Sequence, residues 1–194
     1  KSNNAYSYLA CITSFFEDAK FVYMVRDPRD MALAWKEYFI RGVEGGAKQW
    51  KIDQSEGLKA YGYLKDLDKI ILIKFEDLLK NTEEEIRKVC QFLGVDFTNK
   101  MFEFYKDDLV KNHSRRISAW NDLQKPILHD NYNNYKNKLS DTEVRYIEAL
   151  CGDEMKYLNY KKEFESDKKD IKKLEKELKQ LPKKESNNIN MTEE

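Results

Sequence analysis

The stretch Phe21-Val22-Tyr23-Met24-Val25-Arg26-Asp27-Pro28-Arg29-Asp30 decides how the rest of this chain is read. Five apolar residues stop abruptly at Arg-Asp-Pro-Arg-Asp, and residues 31–39 continue with helical spacing. A short apolar run rich in Val and aromatics predicts a strand buried on both faces of a parallel sheet. Open parallel sheets bind ligands just outside the carboxyl ends of their strands. Arg26 stands at such an end, and Arg29 brings a second guanidinium three residues on. Pro28 fixes φ for a first helical turn, and Asp30 suits the positive end of that helix. A guanidinium beside a helix N-terminus can grip phosphate oxygens in bidentate fashion. The competing reading of the same residues is structural, with Arg26 closing the strand by pairing with Asp27 or Asp30.

Working outward, residues 6–17 read as a helix carrying Tyr8, Leu9, Ile12, Phe15 and Phe16 at helical spacing. Gly42, Gly45 and Gly46 mark residues 42–46 as a flexible loop. Residues 47–67 are mostly helical, with Trp50, Leu58, Tyr61 and Leu64 on one side. A second apolar run, residues 69–75, predicts another strand, which passes into the acidic turn Glu76-Asp77. Thr82-Glu83-Glu84-Glu85 has the form of a capping box, and Gly94 suits the left-handed position past that helix's end. Residues 97–107 read as a helix and residues 112–128 as a loop with irregular turns. Ser140-Asp141-Thr142-Glu143 is a second capping box, followed by Val144, Ile147, Leu150 and Cys151 at core spacing.

The composition changes at Lys161. Lysine and glutamate take over, and Phe164, Ile171, Leu174, Leu178 and Leu181 leave one narrow apolar stripe. This predicts a charged amphipathic helix over residues 161–182, able to lie on its own domain or to self-associate. Pro182 ends it, and residues 183–194 read as a disordered tail. Residues 1–160 form one α/β domain.

The 194 residues carry 35 Lys+Arg against 35 Asp+Glu, so no global field draws in nucleic acid and any anion site must be local. Cys11, Cys90 and Cys151 lie far apart without metal-ligand spacing, which predicts free thiols, a reducing and therefore cytoplasmic compartment, and no metal. No apolar run approaches the ~18 residues of a membrane span, and no signal peptide is visible.

The segment from Asp18 through Trp35 resembles the 3′-phosphate-binding strand and helix of sulfotransferases that use 3′-phosphoadenosine 5′-phosphosulfate (PAPS). Phe75-Glu76-Asp77-Leu78 is similar to that family's Tyr-Glu-Asp-Leu segment, and residues 81–94 to its following helix. Residues 118–160, with Trp120, Lys125-Pro126-Ile127 and Tyr135, resemble the C-terminal part of bacterial members. The resemblance implies an α/β fold with a parallel central sheet flanked by helices, P-loop-like but incomplete, and PAPS as co-substrate without a metal.

The resemblance also implies site residues. Arg26 takes the place of the 3′-phosphate arginine. Ala34 stands where a Ser is usual, one hydroxyl donor fewer, worth about 1–3 kcal/mol if the acceptor is left short. Phe75 keeps a ring face for the nucleotide. Arg115 and Arg116 lie where the family closes over the 3′-phosphate or the acceptor, with Lys125 behind them. His113 stands in that same loop, His129 reads as a surface residue, and the base is unassigned. No Gly-rich phosphate loop occurs in the chain. The expectation is a chain that holds the 3′-nucleotide half of the site and lacks the 5′-phosphosulfate loop, either an N-terminally truncated portion of a longer enzyme or a shortened relative, and inactive alone. The acceptor could be a glycan, lipid or small molecule. Two other classes fit less of the pattern: a P-loop-class nucleotide-binding protein and a non-catalytic interaction module.

Overall fold

A computed structural model describes residues 5–114 and 122–181. A 3-10 turn at Ala5–Tyr8 leads into α1 (Leu9–Phe15), then β1 (Phe21–Val25), α2 (Pro28–Tyr38) and α3 (Gly42–Leu64). β2 (Ile70–Lys74) runs directly into α4 (Phe75–Lys80), followed by α5 (Thr82–Leu93). A 3-10 stretch at Asn99–Lys106 precedes α6 (Asp108–Ser114). Beyond these come α7 (Tyr135–Lys138), α8 (Asp141–Tyr157) and α9 (Ile171–Gln180). The fold is a mostly helical α/β arrangement around a parallel pair of strands, with Phe21 opposite Ile70 and Val25 opposite Lys74. The α2–α3 crossover that joins them is what parallel pairing requires.

The core lies on one side of the pair. Val25, Ala32, Val43, Ala47 and Trp50 meet Tyr146, Ile147, Cys151 and Met155 there, with Tyr23 and Leu72 packed against them. β1 itself is not buried on both faces as its composition predicts. Val22 is 42% exposed and Met24 50%. α3 covers the Tyr23 face, and no described element closes over Val22 and Met24. The apolar face of α1 is likewise open, with Phe15 78% exposed.

Residues 42–46 are helix rather than loop. A methyl at Gly46 would stand 2.8 Å from Trp35 Cβ and 2.9 Å from Ala32 Cα. Gly46 is therefore a contact residue that lets α2 and α3 approach closely, and its cost in helix propensity is offset by that packing. Gly57 serves Tyr23 in the same way, with the ring 2.8 Å from where a Cβ would be. Tyr23 Oη donates to Gln54 Oε1 at 2.5 Å.

The capping box at Ser140 forms as its sequence predicts, and Gly94 ends α5 in the left-handed region at φ 74°. Thr82 differs. Asn81 holds the cap position, and the Thr82 hydroxyl turns back to the Leu79 carbonyl at 3.5 Å. The short link from α4 leaves no extended residue for Thr82 to be. His113 and Ser114 belong to α6 rather than to a loop.

The amphipathic helix starts later than its composition suggests. Residues 161–167 are irregular, because the Glu148 carboxylate accepts the backbone N–H of Glu163 at 2.9 Å and of Phe164 at 3.0 Å. α9 then lies on α8, with Leu174 buried and Ile171 and Leu178 packed on the core. The predicted tail, residues 183–194, lies outside the described residues.

Cys11, Cys90 and Cys151 are free thiols, the latter two buried. Burial pushes the Cys151 thiol up, far from reactivity. Among the described residues, no helix is long and apolar enough to cross a membrane. None of their His, Cys, Asp and Glu side chains gather in a group that could hold a metal ion.

Candidate functional site

The carboxyl ends of β1 and β2 lie side by side, and the turn from β1 into α2 is fixed from three directions. Asp27 leaves the strand at φ −51°, ψ 127° and caps α2, its side chain accepting the Arg29 N–H at 2.8 Å. Pro28 holds the first helical position, where no N–H is required. Trp50 Nε1 on α3 donates to the Arg26 carbonyl at 2.8 Å. The Asp27 N–H donates to Glu76 Oε1 at 2.8 Å, from the first turn of α4. The other oxygen of Glu76 accepts from Tyr160 Oη at 2.8 Å. The Lys74 ammonium sits 4.6 Å over the Tyr160 ring. Burial, then the charge of Glu76, pushes the Tyr160 phenol up, so it stays a donor across the physiological range.

The two arginines of the motif have opposite surroundings. Arg29 is 4% exposed. Its guanidinium forks onto Asp27, Nε to Oδ1 at 2.9 Å and Nη2 to Oδ2 at 2.6 Å. Nη1 reaches Glu148 Oε1 at 2.7 Å and the Lys161 carbonyl at 3.1 Å. The Tyr135 ring covers it at 4.4 Å. Burial opposes this charge, and the bonds and charge of Asp27 with Glu148 outweigh it, so Arg29 stays protonated. Four of its five N–H donors are committed to these partners, and Arg29 is an internal tie rather than a second phosphate arm.

Arg26 is half-buried. Its guanidinium lies 4.7 Å over the Phe75 ring. Nη2 donates to the Asn131 carbonyl at 3.3 Å, and Nε is buried with no partner among the described residues. No ion pair is formed with Asp27 or Asp30: the first is taken by Arg29, the second by backbone. Asp30, 1% exposed, accepts the Asn133 N–H at 2.6 Å and the Tyr135 N–H at 3.0 Å. Burial pushes the Asp30 carboxyl up, against the pull of those amides and of Arg26. The structural alternative for Arg26, a strand-closing ion pair, is thus not what the side chain does. A guanidinium with one long hydrogen bond and no direct ion pair among the described residues, at a strand end beside a helix N-terminus, is an anion-receptive arrangement.

Arg26 and Phe75 are brought together. Lys125 is not tied to them: it is exposed and pairs with Asp122 at 2.7 Å, three residues before it in sequence. Arg115, Arg116 and Ser118 lie outside the described residues. Ala34 sits on α2 with its side chain half-buried. His129 Nδ1 is 2.7 Å from the Leu79 carbonyl.

Sequence reasoning missed Glu148, Glu76 and Tyr160 as supports of the motif. Glu148 carried a usable signal. It lies four residues after Val144 and beside Ile147, on the buried face of α8, where a carboxylate needs a partner.

The chain is thus an α/β body with a half-buried arginine at the carboxyl end of a parallel strand. The family model described as "Sulfotransferase family" matches residues 1–99. The chain belongs to the sulfotransferase family. It is similar to a 3-alpha-hydroxysteroid sulfotransferase of Cavia porcellus, 26% identical over 172 residues, covering 73% of this chain and 58% of that protein. Sulfotransferase 2A6 of Rattus norvegicus is 27% identical over 141 residues, covering 59% and 46%. Human Sulfotransferase 1C2 is 28% identical over 106 residues, covering 54% and 32%. The chain spans about half the length of the first two relatives.

Proposed function

We propose that this chain carries the 3′-nucleotide side of a PAPS-dependent sulfotransferase, which moves a sulfuryl group onto a hydroxyl or amine acceptor. One observation supports this above the rest. Arg26 projects from the end of β1 with Nε buried and without a partner among the described residues, and with one long bond to a peptide carbonyl. In this reading a ribose 3′-phosphate takes up guanidinium N–H groups that no described residue binds, each charge-assisted bond contributing about 1.5–3 kcal/mol.

Phe75 acts as the floor beneath that guanidinium and sets its plane. Arg115, Arg116 and Lys125 are further anion contacts in this reading, on the strength of the resemblance. No metal is assigned. The transfer spreads negative charge over the equatorial oxygens of the sulfuryl group, so the protein's part is alignment and cationic stabilisation. Two relatives named for hydroxysteroids favour a small-molecule hydroxyl as acceptor. Buried free thiols at Cys90 and Cys151 support a reducing, cytoplasmic setting.

The test is calorimetric titration with adenosine 3′,5′-bisphosphate and with adenosine 5′-phosphate. The expected result is at least about tenfold tighter binding of the bisphosphate, lost in Arg26→Ala. Equal affinity for the two nucleotides overturns the proposal. Transfer of labelled sulfate from PAPS is the accompanying activity measurement.

A further inference from the structure

Glu76 forms no described ion pair with the Arg26 guanidinium, yet it joins three elements at the strand ends. It is 8% exposed, and both carboxylate oxygens are used. Oε1 accepts the N–H of Asp27, the residue after Arg26. Oε2 accepts the hydroxyl of Tyr160, beyond α8. On the other side of the same peptide unit, Trp50 holds the Arg26 carbonyl. The peptide between Arg26 and Asp27 is therefore gripped at both its oxygen and its nitrogen. Phe75, which carries the Arg26 guanidinium, is the neighbour of Glu76 in the first turn of α4.

We infer that Glu76 is a positioning residue for Arg26: it sets the Arg26–Asp27 peptide plane and, with Tyr160 orienting its carboxylate, fixes where the guanidinium points. The inference deepens the nucleotide-site reading and rests on it only for its consequence in binding. Its geometric part stands on the three hydrogen bonds named above.

The substitutions separate charge, geometry and bulk. Glu76→Gln keeps an acceptor for the Asp27 N–H and places an amide donor where the Tyr160 oxygen can accept. Glu76→Ala removes both contacts. Tyr160→Phe keeps the ring under Lys74 and deletes only the orienting hydroxyl.

The experiment has two arms on the full chain. In the first, without ligand, hydrogen exchange is followed at Arg26 Nε–H and at the Asp27 amide by NMR. Exchange at both is expected to speed up by at least about tenfold in Glu76→Ala, to stay near wild type in Glu76→Gln, and to fall between in Tyr160→Phe. Amides in α8, such as that of Ile147, serve as the internal reference and remain unchanged. A merely structural role would instead raise exchange throughout the core, or raise it nowhere at this turn; either result overturns the inference.

In the second arm, the preference for adenosine 3′,5′-bisphosphate over adenosine 5′-phosphate is measured. It is expected to fall about tenfold in Glu76→Ala and to be restored in Glu76→Gln. An unchanged preference in Glu76→Ala overturns the inference. A wild-type chain with no preference between the nucleotides sinks the functional reading, while the exchange arm still decides the positioning role.

Discussion

Arg26 and Arg29 lie three residues apart in one motif, carry the same charge, and live in opposite ways. Arg29 is enclosed by Asp27, Glu148, the Lys161 carbonyl and the Tyr135 ring. Arg26 has a ring beneath it, one carbonyl at 3.3 Å and an Nε without a partner among the described residues. The difference shows how the fold leaves one arginine without a direct ion pair among the described residues. Asp27 is spent on Arg29, and Asp30 accepts backbone amides, so neither forms a direct ion pair with Arg26, although Asp30 feels its charge. The buried knot thus acts as negative space around the site: it consumes the carboxylates that would otherwise close it.

The comparison breaks most visibly at Arg29. Arg29→Ala leaves Asp27 and Glu148 as buried charges without their cation, and should cost about 3–5 kcal/mol in urea unfolding. Glu148→Gln comes next. It keeps the shape but places an amide donor against one of three donors now facing Glu148, at about 1.5–3 kcal/mol by the same measurement. Arg26→Ala should show the reverse pattern. Its unfolding free energy falls by less than in either knot variant, about 1 kcal/mol, since what is lost is a cation–π contact, a long bond and a charge that favours the Asp30 carboxylate. Its affinity for adenosine 3′,5′-bisphosphate falls by about tenfold or more in calorimetry.

The smallest expected effect lies at the rim of the knot. Tyr135 Oη donates to Glu163 at 2.7 Å, and this bond, more than the nearby Arg29 and Lys136, holds the Glu163 carboxyl below its usual range. A carboxyl lowered on folding contributes stability above its unfolded value, lost as pH falls through its folded value. Glu163→Gln should therefore lessen the loss of stability between about pH 5 and about pH 3, read from urea midpoints. Asp30 runs the other way. Its carboxyl is raised on folding, so its contribution is greatest in acid and declines as pH rises through the folded value. Asp30→Asn should flatten that opposing slope.

Much of the fold was legible because its signals are local. β1 spans Phe21–Val25, the very run of apolar residues that announces it. The Ser140 capping box and the left-handed Gly94 are read from three or four adjacent residues. Gly42 to Gly46 misled, because glycine means flexibility in isolation and close approach when a Trp35 side chain lies against it. Arg26 could be singled out from its place after the strand. That Arg29 is unavailable could not, because its partner Glu148 is 119 residues away in sequence. Glu76 and Tyr160, 84 residues apart, are hidden for the same reason. Hydrogen bonds of that span leave no period in the chain. The burial expected for Val22 and Met24 fails for a related cause: composition says that a face wants covering, not whether a neighbour among the described residues covers it.

Glu148 has one more consequence. Because it binds Arg29 with one oxygen and the peptide amides of Glu163 and Phe164 with both, residues past α8 complete the counter-ion shell of a motif near the start of the chain. Trimming the protein back toward Tyr160 would not remove a detachable strap. It would strip two donors from a carboxylate with no access to water, and the loss would be felt first at the turn that presents Arg26.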